Sequence, residues 1–320
     1  MTKKQQLAQK AIDRFPNLSK SAIAKYLHDK HKSLFPSAEK ARRYLAELPY
    51  AREKKGVEVT NYEKDFEFPD TFAESYEPFR LDQSNILILS DLHIPYHHPE
   101  AIKLSCKYGK DRKANAVLIN GDLMDFHYLS RFEKEKGKRS VYQEFEATRK
   151  FLAWLRNQFP HARIIFKEGN HDLRWERYLY ANPHIFDDPE LTLESRLHLN
   201  ELGIEIVKEN RPVVMGKLTA LHGHELPGGG GVNPARGVFL KLVDSVVVGH
   251  YHRTSQHVEP IGWHKDHTIA VNTTGCLCEL FPRYARINKW NLGFAFNEVD
   301  LKTGEFHLDN LKIINGKIYQ

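Results

Sequence analysis

Five short apolar runs in this chain each end on an acid, an amide or a histidine, and no other feature constrains the fold as much. ILILS (86–90) leads into Asp91-Leu92-His93, AVLIN (116–120) into Gly121-Asp122-Leu123-Met124-Asp125, and RIIFK (163–167) into Gly169-Asn170-His171-Asp172. LTALH (218–222) closes on His222-Gly223-His224, and SVVVG (245–249) on His250-Tyr251-His252. Near-continuous apolar runs of this length suit strands covered on both faces. A sixth run, TIAVNTT (268–274), follows, and GFAFNEVDLKTGEFHLD (293–309) reads as a hairpin. Helical patterns are expected at 99–109, 140–158 and 235–243. Strands alternating with helices predict a layered α/β or α+β sandwich.

The polar groups after those strands have a common chemistry. Imidazole and carboxylate suit Mn, Fe, Zn or Ni, and an amide oxygen adds a neutral ligand. Asp91-x-His93 and His250-x-His252 put alternate residues on one side of an extended segment, so each pair can face one ion. So many ligating groups exceed what one ion needs. Two ions sharing a carboxylate would clamp both the attacking and the leaving oxygen of a phosphoryl displacement. Gly121, Gly169, Gly223 and Gly249 flank the ligands, as expected where backbone must approach closely. A single Asp-x-His or Gly-Asn-His is usually incidental; five such signals in order, each after a β-type run, are not.

The ordered blocks D-x-H, G-D-x-x-D, G-N-H-[DE], a lone His and G-H-x-H resemble the calcineurin-like metallophosphoesterase superfamily, over residues 85 to roughly 275. The resemblance implies a two-sheet sandwich flanked by helices. It further implies that Asp91, His93, Asp122 and His252 hold one divalent metal, while Asp122, Asn170, His222 and His250 hold a second, with Asp122 bridging. Mn2+ is the expected ion, with Fe, Zn and Ni as alternatives. A metal-bridging hydroxide would attack phosphorus, and His171, oriented by Asp172, would protonate the leaving oxygen.

Departures from subfamilies narrow the substrate. Protein phosphatases of this superfamily carry an Arg in their second block, whereas here it reads GDLMDFH, and Asp172 is followed by Leu173. Without that clamp, a phosphodiester of nucleic acid or a nucleotide is the expected substrate. Two alternatives stay open: a phosphomonoesterase or protein phosphatase, and a nucleic-acid-binding regulator with a non-catalytic metal site. The DNA-repair nucleases of the superfamily match partially, having His where this chain has Asp125. The stretch 276–291 is also similar to phage and prophage metallophosphoesterases. Arg236, beyond the Gly-rich 227–231, and His97 are the expected substrate contacts, with His98 as a further acid.

Charge divides the 320-residue chain. The net charge is +6, yet residues 1–56 hold 14 Lys/Arg against 5 Asp/Glu, leaving the remainder slightly acidic. Apolar spacings of i, i+3 and i+4 there predict three helices started by Ser19 and Ser37. The third carries Lys40, Arg42 and Arg43, like a helix-turn-helix reader, although the loop before it is longer than that motif's three or four residues. Such a basic module attracts polyanions by counterion release. Residues 57–84 read as an acidic, aromatic linker, and 85–320 as the catalytic domain. Residues 131–139, with five basic groups, are expected near the mouth of the site. No run has the roughly 18–20 apolar residues of a membrane helix, and the start lacks a signal-like stretch, so a cytoplasmic location is expected. Three cysteines, with no second pair beside Cys276-x-Cys278, predict neither a disulfide nor a zinc ribbon.

Overall fold

The computed structural model describes residues 1–48, 70–73, 75–130, 140–228, 230–263 and 267–320. The chain divides into two compact units, Met1–Ala73 and Glu74–Gln320. In the first, α1 (Lys3–Arg14), α2 (Lys20–Lys30) and α3 (Ala38–Glu47) bury Ala8, Ile12, Ile23, Leu27, Phe35, Ala41 and Leu45 together. Ser19 and Ser37 accept the first free amides of α2 and α3, from Ala22 and Lys40, as N-caps do. Lys40, Arg42 and Arg43 are exposed on α3. Seven residues separate α2 from α3, so the tight turn of a helix-turn-helix is absent between them.

The second unit is a two-sheet sandwich. Its elements are β1 (Phe79–Arg80), β2 (Asn85–Leu89), α4 (Pro99–Asp111), β3 (Ala116–Asn120), α5 (Val141–Gln158) and β4 (Arg163–Lys167). Next come α6 (Leu173–Tyr180), α7 (Pro183–Phe186), α8 (Leu193–Leu197), β5 (Ile204–Val207), β6 (Val213–Met215), β7 (Leu218–Leu221) and α9 (Pro234–Phe239). The chain ends with β8 (Val246–Val248), β9 (Ser255–Ile261), β10 (His267–Thr273), β11 (Leu292–Val299), β12 (Phe306–Ile314) and β13 (Lys317–Tyr319). One sheet has the order β13-β12-β11-β2-β3-β4-β5, the other β1-β6-β7-β8-β10-β9. Strand β1 falls inside the segment read as a linker, so the sandwich begins before residue 85.

Continuous apolar strands are explained by what covers each face. Ile86, Ile88, Leu118 and Ile165 point between the sheets and meet Val213, Met215, Leu218 and Val247. Their neighbours Leu87, Leu89, Val117, Ile119, Ile164 and Phe166 point outward against Ile102 and Cys106 of α4 and Phe145, Leu152 and Leu155 of α5. On the opposite sheet, Val246, Val248, Ile269 and Val271 pack under Ala235 and Val238 of α9. Since β2, β3 and β4 are mutually parallel, as are β7, β8 and β10, their C-terminal ends and the following loops share an edge within each sheet. Asn120 ties the two edges together. Its side-chain amide donates to the Leu221 carbonyl at 2.8 Å, and its own carbonyl accepts from His222 Nδ1 at 2.9 Å. Among the described residues, no helix is long and apolar enough to cross a membrane.

Candidate metal centre

The loops leaving β2, β3, β4, β7 and β8 bring their polar side chains to one place. Donor atoms of Asp122, His222 and His250 lie within 4.8 Å of one another, as do those of His93, Asp122 and His171 and those of His93, His252 and Cys278. His252 Nε2 is 3.1 Å from Asp91 Oδ1, and His222 Nε2 is 3.3 Å from Asp122 Oδ2. Asp122 therefore stands between the two histidine groups. Asp91 and Asp122 are completely or almost completely buried.

The backbone is bent to achieve this. Asp91, His93, Asp122, His250 and His252 all have positive φ, between 47° and 66°. Asp and His tolerate the left-handed region better than most residues, yet each such position costs roughly 1–3 kcal/mol and persists only where its surroundings enforce it. Here the enforcement is a zipper between loops: the Asp91 amide donates to the Gly121 carbonyl, the His93 amide to Asp122 and the Ile94 amide to Leu123. Two glycines make room. A Cβ on Gly121 would lie 2.1 Å from His222 Nδ1, and one on Gly169 would lie 2.3 Å from the Asp122 amide and carboxylate.

Hydrogen bonds fix which nitrogen of each ring faces inward. His222 Nδ1 donates to the Asn120 carbonyl, and His93 Nδ1 to the Asp125 carboxylate at 3.1 Å, so each ring turns its Nε2 toward Asp122. His93 Nε2 also lies 3.1 Å from His252 Nε2. Two imidazole lone pairs cannot face each other so closely unless a proton or a cation sits at the junction. Asn170 Oδ1 is buried without a hydrogen-bond partner, and His222 Nε2 is faced by Asp122 Oδ2. Burial opposes ionisation of Asp122, but His222 and its neighbours outweigh it and hold the carboxyl well below the usual range. Burial likewise disfavours protonated His222, yet Asp122 raises its pKa to about 10. Buried carboxylates and imidazoles with converging oxygen and nitrogen donors are the ligand types a divalent cation takes. The donor set fits the implied metals.

His171 enters the site from the turn after β4. Its amide donates to Asp122 Oδ1 at 2.8 Å, and its Nδ1 donates to the Asp125 carbonyl at 2.9 Å. The expectation that Asp172 orients it is corrected. The Asp172 carboxylate is fully buried and accepts the amides of Leu123, Met124 and Gly169, so it pins the loops after β3 and β4 instead. Burial, then the Asp122 charge, lifts its pKa to about 7. Asp125 holds both His93 and His171, and Glu144 supports it from α5 by accepting the Phe126 amide.

Sequence reasoning also missed Arg174. One helical turn after His171, its guanidinium donates to His171 Nε2 at 3.0 Å and to the Asp125 carbonyl at 2.8 Å. Although the motif blocks lack the phosphatase arginine, the site has one at hand; the i, i+3 spacing from His171 was the available signal. Arg174 shares a cavity of about 500 Å3 with Asn170, Arg177 and Tyr178. Cys278 was likewise given no role, but its Sγ is 3.9 Å from His252 Nδ1. All three cysteines are free and buried.

The expected substrate contacts fare differently. Arg236 is exposed on α9, and its described contacts bring it to none of the donors; Asn233 caps its backbone amide. His97 pairs through a β-bridge with Cys278, which places it beside the site, but it is Tyr96 that lines the adjoining cavity. His98 is occupied as the N-cap of α4, where its Nδ1 accepts the Ala101 amide. Residues 131–139 lie outside the described residues, as does Gly229 of the Gly-rich run.

The profile of the calcineurin-like phosphoesterase family matches residues 84–273, and the chain belongs to that family. It is a metal-dependent hydrolase of phosphate esters. The Gene 54 proteins of Mycobacterium phages L5 and D29 are 26% and 29% identical to it, each over 67% of this chain and 89% of their own length. Among solved structures, YfcE, a phosphoesterase from E. coli, is similar at 16% identity with a TM-score of 0.34, covering 71% of this chain and 98% of its own.

Proposed function

We propose that this phosphoesterase hydrolyses phosphodiesters of nucleic acid or nucleotides, with two divalent cations, Mn2+ foremost, held by the Asp122-centred donors. Asp91, His93, Asp122 and His252 would hold one ion, and Asp122, Asn170, His222 and His250 the other. When bound, such ions lower the pKa of water and stabilise charge on the entering and departing oxygens. The chain's own groups do the rest. His171, held through Nδ1 by Asp125, would carry on Nε2 the proton it gives to the departing alkoxide once the Arg174 guanidinium leaves that nitrogen for the phosphoryl oxygens. Arg174, beside that nitrogen, offers its guanidinium to phosphoryl oxygens.

The observation that carries the diester reading is the pair of cavities flanking the donors. One contains Asn170 and Arg174, the other His93, Asp125 and Cys278. A diester has two organic arms and needs a place for each; a monoester has one. Arg174 and Arg177 favour the second reading, a monoesterase, because two guanidinium groups suit a dianion. Comparing bis(p-nitrophenyl) phosphate with p-nitrophenyl phosphate on Mn-loaded enzyme separates the two. The diester should turn over faster. Equal or faster monoester hydrolysis refutes the diester assignment.

A further inference from the structure

We infer that the cavity on the His93 side of the metal centre is a nucleobase subsite, receiving the base of the nucleotide whose phosphate lies at Asp122. This rests on the diester reading above and names which arm goes where. The cavity measures about 250 Å3. Its inner wall is the site itself, His93, Asp125 and Cys278; its outer wall is the segment 279–290, with Phe281, Tyr284 and Trp290, faced by Tyr96.

Four aromatic rings beside one catalytic centre are not accounted for by the core. Phe281 and Tyr284 leave 64% and 72% of their surface exposed, and Tyr96 is also exposed. Single exposed aromatics need no explanation, but a contiguous group lining a site marks a binding surface. The segment carrying them is built in place. Asn288 donates its side-chain amide to the carbonyls of Leu280 and Ala285, both at 2.6 Å, and the Glu279 amide donates to the Tyr96 carbonyl at 2.9 Å. Trp290 connects this wall to the metal ligands, its ring 4.2 Å from that of His252 and 6.3 Å from that of Tyr284.

Rings inclined to one another, as Trp290 is to His252 by 63° and to Tyr284 by 65°, receive a flat π-system through face and edge contacts, and every nucleobase has such a face. Glu279 and Arg283 also line the cavity. The Glu279 carboxylate is an acceptor that can meet an amino or imino N–H on a base edge. Among the described residues, the opposite cavity has Arg174 and Arg177 with only Tyr178 as an aromatic, which suits the charged backbone of the other arm. The asymmetry orients the substrate, with the base toward Trp290 and phosphate or sugar toward Arg177.

The test uses the Mn-loaded full chain and two esters differing only in the base: the p-nitrophenyl ester of thymidine 5′-monophosphate and that of 2-deoxyribose 5-phosphate. The thymidine ester should have the higher kcat/KM by roughly tenfold or more, mostly through KM, as expected for one stacked base. Tyr284→Ala and Phe281→Ala should shrink that ratio toward one, and Tyr284→Phe should keep it. Independently of turnover, thymidine 5′-monophosphate should quench tryptophan fluorescence, deoxyribose 5-phosphate should not, and Trp290→Phe should abolish the effect. A ratio near one in the unaltered protein, equal losses on both esters in Tyr284→Ala, or a preference for a phosphotyrosine peptide overturns the subsite. Quenching by the nucleotide with neither ester hydrolysed would leave the subsite standing and remove the diester reading.

Discussion

Asparagine at Asp122 should strip the protein of divalent metal and remove its turnover, while leaving the fold intact. The substitution keeps the size of the side chain and an Oδ1 to accept the His171 amide, so the turn after β4 retains its anchor. What disappears is the charge that His222, His93 and His171 all face. Partners outside the ligand shell of a metal typically change affinity or activity by about 10- to 100-fold when replaced. A carboxylate between both ligand groups should exceed that. Metal analysis after gel filtration, together with a melting curve, checks the result. Full occupancy in Asp122→Asn would show that Asp122 does not bridge.

Alanine at His171 should instead retain metal and lower turnover by roughly 10²–10⁴, the usual contribution of a general acid. The size of the loss should depend on the leaving group. An alkoxide needs a proton as it departs, whereas p-nitrophenolate is stable without one. The His171→Ala enzyme should therefore lose most of its activity on an alkyl ester such as a dinucleotide and much less on a p-nitrophenyl ester. A purely structural role would depress both alike, and equal losses would remove His171 from proton transfer. Asp172→Asn does not share this signature, because the Asp172 carboxylate holds backbone amides and not the imidazole.

The sandwich was legible because its central strands are covered on both faces and so are written as unbroken apolar runs. Strands β2, β3, β4, β7, β8 and β10 stand within a residue or two of the expected positions, and α4 and α5 follow their periodic faces. Elements at the edges were not legible. β1 has two residues and β5 is half exposed, so neither carries an apolar run. The helices α6, α7 and α8 span eight, four and five residues, too few for a helical period to stand out.

The site divides in a similar way. The groups the structure brings together at Asp122 could be named because imidazole and carboxylate after successive strands are the donor types a divalent ion takes. Partners of those groups could not, since a carboxylate that grips backbone amides and one that grips an imidazole look the same in sequence. In sequence Asp172 reads as the partner of His171 for that reason, while the structure gives that place to Asp125. Arg174 could have been found from its i, i+3 spacing to His171, whereas Trp290 was out of reach because it depends on a loop whose course the sequence does not display.

Titrating Mn2+ into metal-stripped protein by calorimetry tests the central claim most directly, since every role assigned above depends on donors converging on a shared Asp122. Two ions per chain should bind, and neither should bind in the Asp122→Asn variant. A single equivalent, or none, would contradict a paired centre.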